Sequence, residues 1–83
     1  MDTSASIEEA ILSLLSQRVP GKTICPSEPA RQVRPDNWRR LMEATRAVAA
    51  QLASQGRIEV TQRGQVIDIT SARGPVRLRL PRE

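Results

Sequence analysis

Residues 36–56 constrain the fold more than any other part of the chain. Their apolar side chains recur every three or four positions, a spacing that places them on one side of an α-helix. This stripe consists of Trp38, Leu41, Met42, Thr45, Val48, Ala49 and Leu52. Asp36 is expected to cap the first turn, and Gly56 to end the helix in the left-handed conformation that glycine adopts without strain. The rest of the chain must therefore supply elements that cover this apolar side.

Two shorter helices are predicted before this long one. The first begins at Ser6, which has the capping-box spacing to Glu9, and stops at Pro20-Gly21. The second covers about residues 26–33, because proline is tolerated in a first turn, and Arg34-Pro35 breaks it. A short second helix, a turn and a longer helix with arginines form a helix-turn-helix arrangement.

After Gly56 the apolar period changes to two, which indicates β-strands. Strands are predicted at residues 57–61 and 76–80, with a turn at 62–65, and a short extended piece at 22–25 precedes the second helix. Glu59 is expected to pair across the sheet with Arg77 or Arg79. The predicted core consists of Ile11, Leu14, Leu15, Ile24, Val33, Leu41, Val48, Leu52, Ile58, Val60, Leu78 and Leu80. The pattern predicts one α+β domain over residues 6–80, with flexible tails at 1–5 and 81–83.

Composition argues against several kinds of chemistry. The chain has no histidine and one cysteine, Cys25, so it lacks the usual general base, the usual partner of a nucleophile and the commonest metal ligand. We therefore expect no enzyme activity, catalytic residue, cofactor or metal, and Cys25 is interpreted as structural. The acidic start and the lack of a long apolar run favour a cytoplasmic protein without membrane contact.

Basic residues are concentrated in the second part of the chain. The formal net charge is +4. Residues 31–83 hold eleven bases against five acids, a net +6, whereas residues 1–30 hold two bases against four acids, a net −2. This asymmetry favours a polyanionic partner, most simply double-stranded nucleic acid, although solvated surface arginines would give the same composition.

Four strings of the sequence resemble a known family. They are KTICPSE at 22–28, WRRLM at 38–42, GRIEVTQRG at 56–64 and ARGPVRLRL at 72–80. Together they resemble a small bacterial domain family of unknown function with a winged helix-turn-helix fold. The resemblance implies three helices and a small antiparallel sheet, in the order helix, strand, helix, helix, strand, wing, strand. It implies no activity, ligand or site residue, and this chain departs from it at Pro29 and at Ile69-Thr70.

Two functions remain open at this stage. In the first, the domain binds double-stranded DNA in a regulatory or accessory role, with the long helix in the major groove and the wing on phosphates or the adjacent minor groove. The expected DNA contacts are Asn37, Arg39, Arg40, Arg46, Arg63 and Arg73. In the second, the domain is a protein-interaction module or homodimer that does not bind DNA. The expected protein contacts are Trp38, Ala44 and Ala47, unless Trp38 is a core residue that closes the long helix onto the second helix.

Overall fold

The computed structural model describes residues 3–19 and 21–81, which form helices and one antiparallel sheet. The elements, in chain order, are α1 (Thr3–Ser16), α2 (Ser27–Val33), a 3₁₀-helix (Trp38–Leu41), α3 (Met42–Ser54), β1 (Glu59–Gln62), β2 (Gln65–Val66) and β3 (Arg77–Arg79). The predicted α+β class is confirmed, and the three α-helices with a small three-stranded sheet are compatible with a winged helix.

The sheet has the strand order β2-β1-β3, with β1 in the middle. β1 and β2 form a hairpin, and β1 also pairs with β3, so that Glu59 lies opposite Arg79. Ile24 adds an isolated antiparallel bridge to Leu78, in which each backbone N–H donates to the other residue's carbonyl at 2.8 Å. The predicted pairing of the two clear strands is confirmed, and the short extended piece before α2 joins the same sheet.

The core lies between α1, α3 and the inner face of the sheet. Its buried members are Ile7, Ile11, Leu15, Ile24, Val48, Ala49, Leu52, Ile58, Val60, Ile69, Val76 and Leu78. Three predicted core residues are placed differently. Leu14 and Val33 are half-buried at the edge, and Leu80 is 43% exposed because β3 ends at Arg79 and the alternation stops there.

The start of the long helix differs from the prediction. Residues 35–37 form a turn that the N–H of Asn37 closes onto the carbonyl of Arg34 at 3.2 Å. Asp36 therefore sits within this turn rather than at a helix start, and no side chain caps the 3₁₀-helix or α3. The prediction that Asp36 caps the helix is wrong.

The end of α3 matches the prediction. Gly56 has a φ of +74°, and its N–H donates to the carbonyl of Ala53 at 3.0 Å. The N–H of Arg57 donates to the carbonyl of Leu52 at 3.0 Å. These two hydrogen bonds define a Schellman motif, which requires a left-handed residue at the position of Gly56.

Of the two shorter helices, the first differs from its prediction and the second agrees with it. α1 begins at Thr3, so the predicted capping box at Ser6 is wrong; the earlier start supplies backbone carbonyls for amides that a start at Ser6 would leave without them. α2 agrees with the prediction, and Pro29 is buried in its first turn, where a missing N–H leaves no bond unmade. Met1, Asp2, Pro20, Arg82 and Glu83 lie outside the described residues.

Candidate nucleic-acid interface

Trp38 is half-buried where the 3₁₀-helix meets α2. The guanidinium carbon of Arg31, on α2, lies 4.4 Å from the centroid of its ring, and that of Arg39 lies 4.7 Å away. A cation–π contact of this kind contributes about 0.5–1 kcal/mol at an exposed site. The contact with Arg31 therefore links the 3₁₀-helix to α2, and Trp38 itself lies outside the hydrophobic core with part of its side chain accessible.

Four arginines surround the connection from α2 to α3, and we call Arg31, Arg34, Arg39 and Arg40 the turn cluster. All four residues are exposed. Within residues 3–19 and 21–81, the side chains of Arg34 and Arg40 make no hydrogen bond, ion pair or ring contact, and neither does that of the exposed Asn37. Sequence reasoning missed Arg31 and Arg34 because it considered only the long helix and the wing; both precede the turn that presents Arg39 and Arg40.

A second group of arginines, Arg46, Arg63 and Arg73, lies where α3 meets the hairpin, and we call it the hairpin cluster. Arg46 donates from Nη1 to the carbonyl of Gly74 at 3.3 Å and from Nη2 to that of Ala72 at 3.4 Å. Arg46 thus donates hydrogen bonds to the backbone carbonyls on both sides of Arg73. Its guanidinium already has this structural role, which sequence reasoning had no means to detect.

The same loop is also tied to the sheet. Gln62 Nε2 donates to the carbonyl of Arg73 at 2.7 Å and to that of Pro75 at 3.1 Å. Residues 72–75 are therefore held between α3 and the end of β1. Because Arg63 directly follows Gln62, the hairpin cluster is brought together by these bonds. Along the helix, Arg40 and Arg46 are six residues apart, a rise of about 9 Å.

Arg63 occupies the tip of the β1–β2 hairpin. It has a φ of +54°, and Gly64, which follows it, has a φ of +81°. The flanking pair Gln62 and Gln65 closes a two-residue loop, as expected for a type I′ turn, in which both central residues have positive φ. The predicted turn at 62–65 is confirmed. Arginine is an unusual choice at a position where asparagine, aspartate or glycine fits better.

Ion pairs within the described part of the chain involve arginines outside both clusters. Arg18 contacts Glu28 at 2.7 Å, Arg79 contacts Glu59 at 2.8 Å, and Arg57 approaches Glu8 at 3.7 Å. The predicted cross-strand pairing of Glu59 is confirmed, with Arg79 as the partner. Arg77 instead donates to the hydroxyl of Thr23 at 2.8 Å. The charges of the two clusters are thus left without a carboxylate partner among residues 3–19 and 21–81.

Acidic and small residues interrupt this basic surface along α3. Glu43 is exposed one turn after Arg39 and Arg40, and Ala47 is exposed one turn further on. Ala44 is half-buried against the core rather than fully exposed. The outer side of α3 therefore carries few groups able to read base edges.

Near β2, the hydroxyl and the backbone N–H of Thr70 donate to Asp68 Oδ1, and these bonds hold the pKa of that carboxyl below its ordinary value.

An open groove of about 700 Å³ lies between the C-terminal half of α3 and the segment after β1. Ala50 and Ala53 form one wall, Val66 and Ile67 contribute to the other, and Pro81 also lines it. Its lining is mostly apolar, and Val66 is 56% exposed. The groove is distinct from the turn cluster and includes none of the predicted protein contacts Trp38, Ala44 and Ala47.

Three further features of the described residues bear on function: the thiol, possible metal ligands and the length of the helices. Cys25 is half-buried, and its Sγ accepts a hydrogen bond from the hydroxyl of Ser27 at 3.2 Å. Within residues 3–19 and 21–81, no three His, Cys, Asp or Glu side chains are grouped so that they could hold a metal ion. None of the helices described is long and apolar enough to cross a membrane.

The architecture defines a small α+β domain with a helical half and a three-stranded antiparallel sheet. A family model described as protein of unknown function (DUF3253) matches residues 4–81, so the chain belongs to that family. A comparison with curated proteins gave no match. The predicted membership in a family of unknown function is confirmed, and this membership brings no ligand or activity with it.

Proposed function

We propose that this domain is a winged helix that binds double-stranded DNA, mainly through its phosphate backbone, in a regulatory or accessory role. One observation carries the proposal. The arginines of the turn and hairpin clusters lack carboxylate partners among the described residues, whereas Arg18, Arg57 and Arg79 elsewhere have them. Clustered guanidiniums without carboxylate partners form an electrostatic footprint for a polyanion.

The placement of the clusters supports the same partner. In a winged helix the second helix of the helix-turn-helix enters the major groove, and the wing lies beside it. Here the turn cluster stands at the start of that helix, and Arg63 and Arg73 stand at the wing. Phosphate contacts position a protein on a duplex but carry no sequence information, and the outer side of α3 presents Glu43 and Ala47. The binding we propose is therefore weakly sequence-specific and salt-sensitive.

The proposal describes a binding module rather than an enzyme. The absence of histidine from the chain and the lone cysteine support this role, because they remove the common nucleophile and base pairs. With the bacterial origin that the resemblance implies, DNA binding also implies a cytoplasmic location, because bacterial DNA lies in the cytoplasm. No cofactor or metal is required.

Titration of a labelled random-sequence duplex, followed by fluorescence anisotropy at about 50 mM salt, tests the proposal, because low salt strengthens contacts to phosphates. We expect binding in the micromolar range. Replacing Arg39 and Arg40 together by Ala should weaken it strongly, whereas the control Lys22→Ala/Arg77→Ala, which also removes two charges but lies outside both clusters, should change it little. Absence of binding in this range would reject the proposal.

The apolar groove favours a second candidate, a protein-interaction module that does not bind DNA. Its lining residues Ala50, Ala53 and Val66 offer apolar area next to a sheet edge. Sedimentation velocity at micromolar concentration tests self-association directly. A dimer that Val66→Glu dissociates, together with no response to duplex DNA, would favour this candidate over the first.

A further inference from the structure

The proposed DNA binding does not by itself explain why two arginines contact the same tryptophan. The guanidinium carbons of Arg31 and Arg39 lie 4.4 Å and 4.7 Å from the ring centroid of Trp38, so they are no more than about 9 Å apart. Each cation is attracted by the ring, yet two like charges held this close repel each other. The ring thus concentrates positive charge in a defined place.

A purely structural role accounts for only part of this arrangement. One arginine stacked on Trp38 would be enough to fasten the 3₁₀-helix to α2. Arg31 also lies in the last turn of α2, where the helix dipole favours a cation. Neither reason requires that a second guanidinium, that of Arg39, lie on the same ring. Within residues 3–19 and 21–81 no carboxylate lies within ion-pair distance of either arginine, although Glu28 on the same helix is paired with Arg18.

We infer that Trp38 and its two stacked arginines form an anchoring site for one phosphodiester group of the DNA backbone. This inference rests on the proposed function and names the residues that fix the duplex on the domain. A guanidinium that lies over an aromatic ring through its flat face keeps its N–H edges free to donate to phosphate oxygens. Trp38 is a positioning residue, because it acts through the two arginines rather than on the phosphate itself.

The inference has a direct spectroscopic test, because Trp38 is the only tryptophan and the chain has no tyrosine. The full chain is titrated with a random-sequence duplex at about 50 mM salt while Trp38 fluorescence and the anisotropy of labelled DNA are both recorded. We expect a saturable change in Trp38 fluorescence with the same midpoint as the anisotropy. Arg31→Gln and Arg39→Gln should each weaken binding by up to about tenfold, which is the effect of losing the shared phosphate contact completely at this salt concentration.

Matched variants separate the anchor from general charge. Arg40→Gln removes a neighbouring charge that does not touch Trp38, so it should weaken binding but leave the amplitude of the fluorescence change at saturation intact. Arg77→Gln should leave both readouts unchanged. Trp38→Leu should weaken binding, and Trp38→Phe, which keeps an aromatic face, should restore most of it. Thermal unfolding of each variant shows whether a loss of binding follows a loss of folded protein.

The outcomes distinguish failure of the anchor from failure of DNA binding. If the duplex binds with Trp38 fluorescence unchanged, and Arg31→Gln and Arg39→Gln behave like Arg77→Gln, the anchor is refuted and the proposed function stands. If no duplex binds, both are refuted. Inorganic phosphate at constant ionic strength is the third arm: a saturable Trp38 response to phosphate with none to DNA would identify a free-phosphate site and overturn the inference.

Discussion

Arg63→Asn is expected to make the protein more stable and its binding to DNA weaker. The backbone of Arg63 is in the left-handed region, with a φ of +54°. That conformation costs a residue with a Cβ roughly 1–2 kcal/mol, and asparagine tolerates it better because its short polar side chain can bond locally. The side chain of Arg63 makes no polar contact within residues 3–19 and 21–81, so its removal forfeits little.

The size of the expected stabilisation follows from the type of turn. Asn-Gly is the favoured pair in a type I′ turn, so Arg63→Asn should raise the free energy of unfolding by about 0.5–1 kcal/mol. For a domain of this size, 1 kcal/mol corresponds to a change of roughly 4–8 °C in Tm. In the same protein, loss of one phosphate contact should reduce the salt slope of DNA binding by about 0.9.

Differential scanning calorimetry and anisotropy titrations, applied to the same preparations, measure the two effects. Arg63→Lys is the matched control: it retains the charge and the strained backbone, so we expect both readouts to stay close to those of the natural sequence. A lower Tm for Arg63→Asn would refute the assignment of strain to this turn. An unchanged salt slope would show that the hairpin tip does not contact DNA.

Three further predictions concern the fold. Leu52→Ala removes a fully buried side chain and should lower the free energy of unfolding by about 2–5 kcal/mol in urea titrations; a loss below 1 kcal/mol would contradict its central place in the core. Gly56→Ala should lower it by about 1 kcal/mol by strain alone, because among the described residues no atom beyond the adjoining chain lies within 4 Å of the added Cβ, and an unchanged midpoint would argue against the Schellman motif. The pKa of Asp68 is lowered, so its stabilising effect should be present above the pKa of the unfolded chain and be lost as the pH falls through the folded pKa; Asp68→Asn should remove that part of the acid dependence, and an identical pH profile would contradict it.

Local rules of sequence succeed where neighbouring residues determine the structure. Gly56 ends α3 because a left-handed residue is needed there, and the hairpin forms at Arg63-Gly64 because Gln62 and Gln65 can pair across it. The pairing of Glu59 with Arg79 follows from period-two alternation on antiparallel strands. These features depend on residues within one or two turns or on one register.

The same rules fail where the conformation depends on a turn or a long-range contact that residue spacing does not indicate. Asp36 has the chemistry of a helix cap, but the turn closed between Arg34 and Asn37 places it elsewhere. Ile69 is buried although its loop has no periodic pattern, because residues 67–76 cross over the sheet before β3. The bonds from Arg46 to the backbone around Arg73 span 26 and 28 residues, and no spacing rule predicts them.

The candidate interface, too, can be predicted only in part from the sequence. The excess of arginine after residue 30 and its position on the long helix are visible in the sequence. Which guanidiniums are already engaged is not: Arg46 binds carbonyls and Arg39 stacks on Trp38, whereas Arg40 is left without a polar partner among the described residues. Charge can be counted from composition, but the pairing of each charge depends on the tertiary structure.

The salt dependence of DNA affinity tests the central claim most directly. The affinity of a random-sequence duplex is measured between 50 and 200 mM salt for the natural sequence, for Arg40→Gln/Arg63→Asn/Arg73→Gln and for the control Lys22→Gln/Arg77→Gln. Four contacts, made by Arg34, Arg40, Arg63 and Arg73, contribute about −3.6 to the slope, and the phosphate at the Trp38 anchor adds about −0.9. The sum corresponds to a loss of affinity on the order of 500-fold across this range. The triple variant should lose about 2.7 of that slope and the control none. No binding at 50 mM salt, or a triple variant indistinguishable from the control, would contradict the account.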